Sequence, residues 1–228
     1  MGGLLAFYGT SIGKKVVMAI TGLIMVGFVV IHMIGNLKLY LPDNGEHLNH
    51  YAEYLKEIGE PILLHTQALW MFRIVLLLAV GLHILTAAQL TMMAWKGRDV
   101  GYNQRRGGAA VYLADMMRLG GVIIGGFIVY HILHFTTGQA HASFEPGEVY
   151  RNVILGFQNP IASAIYIVAM VALGVHLFHG VWSMFQSVGL NNKRWKMTLK
   201  TLAAAVAAVV MIGNISFPVS VLAGIVQL

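Results

Sequence analysis

Five apolar runs, at about Val16–Leu39, Ala68–Trp95, Leu119–Thr137, Ile161–Val188 and Leu202–Val226, restrict this chain to a narrow set of folds. About 20 apolar residues in helical conformation cross the hydrocarbon core of a bilayer. Within lipid every backbone N–H and C=O must be paired internally, which leaves helices or closed barrels. Runs this long, with no alternation of polar and apolar residues, predict helices. Only 11% of the 228 residues are charged, against roughly 25% in soluble domains. The expected architecture is an all-α membrane protein of five transmembrane helices, forming one integral membrane domain over 1–228.

Four of the five runs carry a histidine deep inside: His32, His83, His131 and His176. An ionisable ring in hydrocarbon is costly, and its default reading is functional. Cysteine is absent, which excludes a disulfide framework, a c-type haem attachment and a cysteine-ligated iron–sulfur cluster within the chain. Histidine is the strong metal ligand that remains. Four such residues on four separate helices predict two pairs of axial ligands to two haems, with those four helices forming a haem-binding bundle.

Depth sorts the pairs. At a rise of about 1.5 Å per helical residue, His32 and His131 lie roughly 15 and 10 Å below one face of the membrane. Counted from Pro61 and Pro160, His83 and His176 lie roughly 24–33 Å below the same face. His32 therefore goes with His131, and His83 with His176. Two more histidines complicate the choice, because His134 follows His131 by three residues and His179 follows His176 by three. Such neighbours share a helical face, only one of each can ligate the same iron, and spacing alone leaves the choice open. The other is free to meet a haem propionate, a quinone pocket or a neighbouring carbonyl. Glycines cluster around these positions (Gly27, Gly35, Gly81, Gly120, Gly121, Gly125, Gly126, Gly174 and Gly180). They serve either close helix packing or clearance for a porphyrin plate.

The loops set an orientation. Lys14, Lys15, Lys96, Arg98, Arg105, Arg106, Arg118, Lys193, Arg194, Lys196 and Lys200 fall on one side, eleven of the fifteen basic residues. By the positive-inside rule that side is cytoplasmic, giving N-terminus in and C-terminus out. Seven of the nine acids lie opposite. The N-terminal segment lacks the features of a cleavable signal. Pro61 and Pro160 mark the starts of the second and fourth helices, Asn159 is an expected N-cap, and Pro218 is expected to kink the fifth. The two long outer connections, about 40–67 and 138–159, are expected to contain short surface helices. Tyr8, Trp70, Trp95 and Trp182 have the positions of interfacial anchors.

The stretch SIGKKVVMAITGLIMVGFVVIHMIGNLKLY, residues 11–40, resembles the first helix of the cytochrome b membrane-anchor subunit of succinate dehydrogenase and fumarate reductase. HLFHGVWSMFQSVGLNN, residues 176–192, resembles its fourth. The likeness is to the single-chain, five-helix, di-haem type, and helix number and histidine placement extend it over the chain. It implies two haem b groups, with His32 and His131 as ligands of the outer one and His83 and His176 of the inner one. In the fourth helix the ligand precedes the Gly of an H-x-x-x-G-x-W-S pattern by four residues. That is His176, before Gly180, Trp182 and Ser183; a looser local match favours His131 over His134.

The resemblance further implies flavoprotein (FAD) and iron–sulfur subunits on the cytoplasmic side, docked on the basic loops. The dicarboxylate active site then lies in another subunit, and a membrane quinone, menaquinone or ubiquinone, exchanges electrons with this one. Succinate oxidation, fumarate reduction and a higher oligomer of the complex are left open. The location implied is the bacterial cytoplasmic membrane, in contact with lipid and with no nucleic-acid partner. Quinone chemistry needs protons near water, which makes Glu53, Glu57, His65 and Arg73 quinone candidates. Ser11, Lys14, Arg118, His134 and His179 are propionate candidates.

Two other readings compete. A di-haem anchor of another respiratory enzyme, such as a hydrogenase or formate dehydrogenase, shares the bis-histidine logic but not the first-helix motif. A transporter or proton channel would use the histidines as relays or metal ligands.

Overall fold

The computed structural model of the chain describes residues 2–97, 109–187, 189, 192 and 194–228. Among these residues the regular structure is entirely helical: α1 (Gly2–Gly9), α2 (Ser11–Asn36, continued by a 3-10 turn Leu37–Tyr40), α3 (Glu46–Glu57), α4 (Gln67–Lys96), α5 (Ala109–Phe135), α6 (Val149–Gln158), α7 (Pro160–Ser187) and α8 (Lys196–Leu222). Five stretches, Ser11–Tyr40, Gln67–Lys96, Met116–Phe135, Pro160–Ser187 and Lys196–Leu222, are long and apolar enough to span a membrane. This is an all-α, multi-pass membrane protein. Of the basic residues assigned to the inner side, Arg98, Arg105, Arg106 and Lys193 lie outside the described residues, as does Val188, the expected end of the fourth span.

Local chemistry places the helix ends. Thr10 caps α2, its hydroxyl accepting from the Gly13 amide at 3.0 Å and donating to the Phe7 carbonyl at 2.7 Å. Asn159 caps α7 as expected: its side-chain oxygen accepts from the Ile161 and Ala162 amides at 2.9 and 3.3 Å. Pro160 fills the first helical position, where no N–H is needed.

Pro61 does not begin a helix. The chain past α3 is held in a turn by the Leu63 amide on the Gly59 carbonyl at 2.8 Å and the Thr66 amide on the Lys56 carbonyl at 2.7 Å. That turn delays α4 to Gln67. His83 and His176 each stand sixteen residues after their helix starts, Gln67 and Pro160. Their depths therefore agree, at about 24 Å by helical rise.

Both expected surface helices are present, as α3 and α6. Asp43 prepares α3, its carboxylate accepting from the Gly45 and His47 amides at 3.0 and 2.9 Å and meeting the His47 ring. These bonds, with that from the His47 amide foremost, hold the Asp43 carboxyl below its ordinary value. Gly45 adopts φ +87° and lies so close to α6 that a Cβ there would fall 2.1 Å from the Tyr150 ring, so both conformation and space require glycine.

The best-packed cluster joins the outer ends of the spans to these surface helices: Met33, Leu39, Leu48, Tyr150, Ile154, Phe157, Tyr166, Phe217 and Val221 are all buried there. α8 lies along α7, α2 meets both, α4 packs on α2, and α5 packs on α7. Direct packing between α4 and α5, α4 and α7, or α2 and α5 is slight by comparison. The histidine-bearing helices thus form two consecutive hairpins, α2–α4 and α5–α7. Large apolar side chains such as Ile20, Leu23, Leu77, Leu78, Val122 and Val168 are exposed on the outside, as a lipid-facing surface requires. α1, whose small and apolar residues show no amphipathic period in the sequence, folds back at the start of α2. There Tyr8 Oη donates to Gln89 Oε1 on α4 at 2.9 Å.

Candidate functional site

The four deep histidines meet in twos between the hairpins. His32 on α2 and His131 on α5 have ring centres 5.8 Å apart, at 87°. His83 on α4 and His176 on α7 have centres 6.5 Å apart, at 60°. Each pair therefore takes one ring from each hairpin. Imidazole–metal bonds of about 2.0–2.1 Å, as in zinc sites, put two rings on opposite sides of one metal with centres roughly 6 Å apart.

Polar neighbours meet the ring nitrogens. The Thr21 hydroxyl donates to the Val17 carbonyl at 2.8 Å, with the Met18 carbonyl at 3.2 Å. It stands 3.1 Å from His83 Nδ1. A hydroxyl has one proton; with that proton on the Val17 carbonyl, Nδ1 is the donor and His83 Nε2 keeps its lone pair for a metal. The His176 ring interacts with the Met117 backbone, and among the described residues its buried Nδ1 makes no well-formed hydrogen bond. On the outer side the Tyr166 hydroxyl lies 3.2 Å from His131 Nδ1 and 3.1 Å from His134 Nδ1.

The ring positions separate the neighbouring histidines. His134 is 3% exposed and packs against Tyr130, Phe135 and His141, with ring centres 5.3, 4.2 and 5.0 Å away. It lies under α6, where a Cβ on Gly156 would come 3.0 Å from its ring. His179 packs edge-on against Phe178 at 5.0 Å.

The glycines divide in two. Gly35 and Gly174 serve close packing, since a Cβ at either would meet Tyr51 or Met211 at 2.7 Å. Around the rings the backbone is clear. A Cβ on Gly22 or Gly121 would lie 3.5 or 3.6 Å from the His83 or His176 ring, and one on Gly27, Gly81, Gly125, Gly126 or Gly180 would meet nothing within 4 Å.

These features fit a haem: histidines opposed in twos, a buried ring nitrogen with no well-formed hydrogen bond among the described residues, and backbone clearance beside the rings. Among the described residues no three His, Asp or Glu side chains converge to hold a bare ion. A group that brings its own equatorial donors needs only two ligands from the protein.

The other candidates lie at the edges. Glu53 is exposed and pairs with Lys56 at 2.6 Å, and His65 meets Glu60 at 3.1 Å. Glu57 is exposed on α3, and Arg73 lies over the Trp70 ring at 5.0 Å. Ser11 is exposed at the first turn of α2, and Arg118 lies on the exposed side of α5. Lys14 is buried, its amine donating to the Tyr8 carbonyl at 2.9 Å and capping the Tyr8 ring.

Thr21 and Tyr166 were not among the residues singled out from sequence. The available signal was a polar side chain inside an apolar run, which by the same argument as for histidine wants a named partner.

Residues 110–213, a little under half of the chain, match the family model described as the succinate dehydrogenase/fumarate reductase transmembrane subunit. Comparison with curated proteins and with solved structures gives no match.

Proposed function

We propose that this chain is a succinate dehydrogenase/fumarate reductase transmembrane subunit, the family its residues 110–213 match, that carries two b-type haems and links a cytoplasmic iron–sulfur partner to membrane quinone. The observation that carries this reading is the meeting of the four deep histidines in two cross-hairpin pairs. His32 and His131 hold the outer group, and His83 and His176 the inner one. A haem held by these histidines would supply one-electron redox chemistry there.

The chain's own residues do the rest. Thr21 orients His83 and raises its basicity as a ligand through the Nδ1 hydrogen bond. Gly22, Gly121 and Gly180 leave room beside the inner pair. The hairpins exclude water and keep the two sites at different depths, so electrons follow a path across the membrane. Lys14, seven residues before Thr21 on α2, lies two turns toward the N-terminal side and is the propionate partner we favour over Ser11 and Arg118. His134 and His179 stand beside the ligands and do not replace them. Glu57 and Arg73, with Glu53 and His65 nearby in sequence, supply acid, base and charge for an outer quinone site.

In this reading the N-terminus is cytoplasmic and the C-terminus external. The basic inner loops face the iron–sulfur and FAD-bearing subunits and anionic headgroups of a bacterial cytoplasmic membrane, and the dicarboxylate site belongs to the flavoprotein. The test is purification of the complex. Reduced-minus-oxidised spectra should show two b-type haems per copy of this subunit, reducible by succinate or oxidisable by fumarate. A complex with flavin and iron–sulfur clusters but no b-type bands rules the reading out.

A further inference from the structure

Between the two outer histidines of α5 stands a phenol with a single proton. Tyr166 Oη is 3.2 Å from His131 Nδ1 and 3.1 Å from His134 Nδ1. Tyr166 is 6% exposed. Phe127 and Phe157 hold its ring edge-on at 4.9 Å each, so the hydroxyl has a fixed address. Its only polar partners among the described residues are the two imidazole nitrogens.

Proton counting then limits the possibilities. A phenol donates once and accepts with its lone pairs, and a neutral imidazole carries one N–H. If both rings donated to Tyr166, its own proton would be buried without an acceptor, which is costly. If neither donated, one contact would have no proton in it. One Nδ1 must donate and the other accept, so the two histidines hold opposite tautomers. The ring that donates from Nδ1 keeps a bare Nε2, and the other carries its proton on Nε2 and cannot ligate through that atom.

The sense of the arrangement follows from the packing. His131 is the ring that faces His32 across the hairpins, at 5.8 Å. His134 is turned under α6 beside His141 and Phe135. We propose that Tyr166 is a positioning residue that sets His131 and His134 in opposite tautomers, presenting His131 Nε2 to iron and disqualifying His134. The chain runs His131 Nδ1–H to Tyr166 Oη, and Tyr166 O–H to His134 Nδ1. This deepens the haem assignment and rests on it. It also explains how two histidines on one helical face avoid competing for one metal.

The experiment uses the assembled, haem-loaded complex with its flavoprotein and iron–sulfur partners. Redox titration of His32→Ala and His83→Ala first identifies the outer and inner haems. In Tyr166→Phe the outer haem stays bound but its midpoint potential rises, because its imidazole loses the acceptor that made it more basic. The inner haem keeps its potential. His134→Leu removes the phenol's acceptor and weakens outer-haem retention about tenfold, the low end for a residue acting through a ligand's partner. His134→Gln, whose amide oxygen accepts the same proton, restores it. A merely space-filling role for His134 predicts that Leu and Gln behave alike. That result, or an unchanged outer potential in Tyr166→Phe, overturns the proposal. If Tyr166→Phe does not accumulate, the His134 pair decides. Loss of the outer haem in His134→Ala with its retention in His131→Ala reverses the assignment. Absence of b-type bands from the unmodified complex is a different outcome and strikes the haem reading itself.

Discussion

The Thr21 hydroxyl on α2 lies 3.1 Å from Nδ1 of His83 on α4, while its own proton is directed to the Val17 carbonyl at 2.8 Å. Two consecutive spans are thereby joined by a hydrogen bond between side chains. With Nδ1 donating, the far nitrogen of His83 is free, which is the state a metal ligand requires.

Thr21→Val keeps the shape of the side chain and removes the acceptor. The inner haem should be retained about 10- to 100-fold less tightly, as is usual when a ligand loses its outer partner, and its potential should rise. Thr21→Ser should behave as the parent. Haem titration of the purified complex and redox potentiometry read both effects, and equal behaviour of Val and Ser variants would show that the hydroxyl is idle.

Ligand deletions should pair across hairpins. His32→Ala and His131→Ala should each remove one and the same haem, and His83→Ala and His176→Ala the other. His179→Ala should keep both. Low-temperature spectra of the five variants check this, and any ligand variant that removes the haem assigned to the opposite pair breaks the pairing.

Gly174 and Gly180 flank His176 but do opposite things. Gly174 is two residues before it, on the far face, and a Cβ there would fall 2.7 Å from Met211. Gly180 is one turn after it, on the same face, and a Cβ there would meet nothing within 4 Å. Gly180→Leu should displace the inner haem while the helices remain assembled. Gly174→Leu should loosen α7 from α8 and lower the thermal stability of the whole subunit. Haem content and melting, measured side by side, separate the two.

Outside the membrane, Asp43 is held ionised by the His47 and Gly45 amides, so its carboxyl stays below its ordinary value. A depressed carboxylate contributes stability above its unfolded value, and that contribution is lost as pH falls through the folded one. Hydrogen exchange at the first turn of α3 should therefore stay slow through neutral pH and quicken only under strongly acid conditions. Asp43→Ala should make it fast throughout, with both haems undisturbed.

Much of the architecture could be read from the chain because hydrocarbon imposes length and apolarity directly. The five runs, the caps at Asn159 and Pro160, and the helices in the two outer connections all follow from local composition. Pro61 misled because a turn built on Gly59 and Lys56 intervenes before the helix. α1 was missed because eight small and apolar residues carry no period to detect. At the site, depth is legible in residue counting but rotation is not. His131 and His134 share a face of α5, and only the placement of α6 and Tyr166 turns one toward His32 and the other away. Thr21 and Tyr166 act across helices, and nothing in their neighbouring residues records what they touch.

The separation of the histidine helices into two hairpins has a consequence for biogenesis. Each hairpin is a consecutive piece of chain that can insert and pair before the next is made. Every ring pair, however, needs one member from the early hairpin and one from the late. In the haem reading the two cofactors act as rivets between halves that otherwise adhere chiefly along α2, α7 and α8. Haem supply would then govern how much subunit survives, since a cell short of haem would be left with two loosely docked halves exposed to membrane proteolysis.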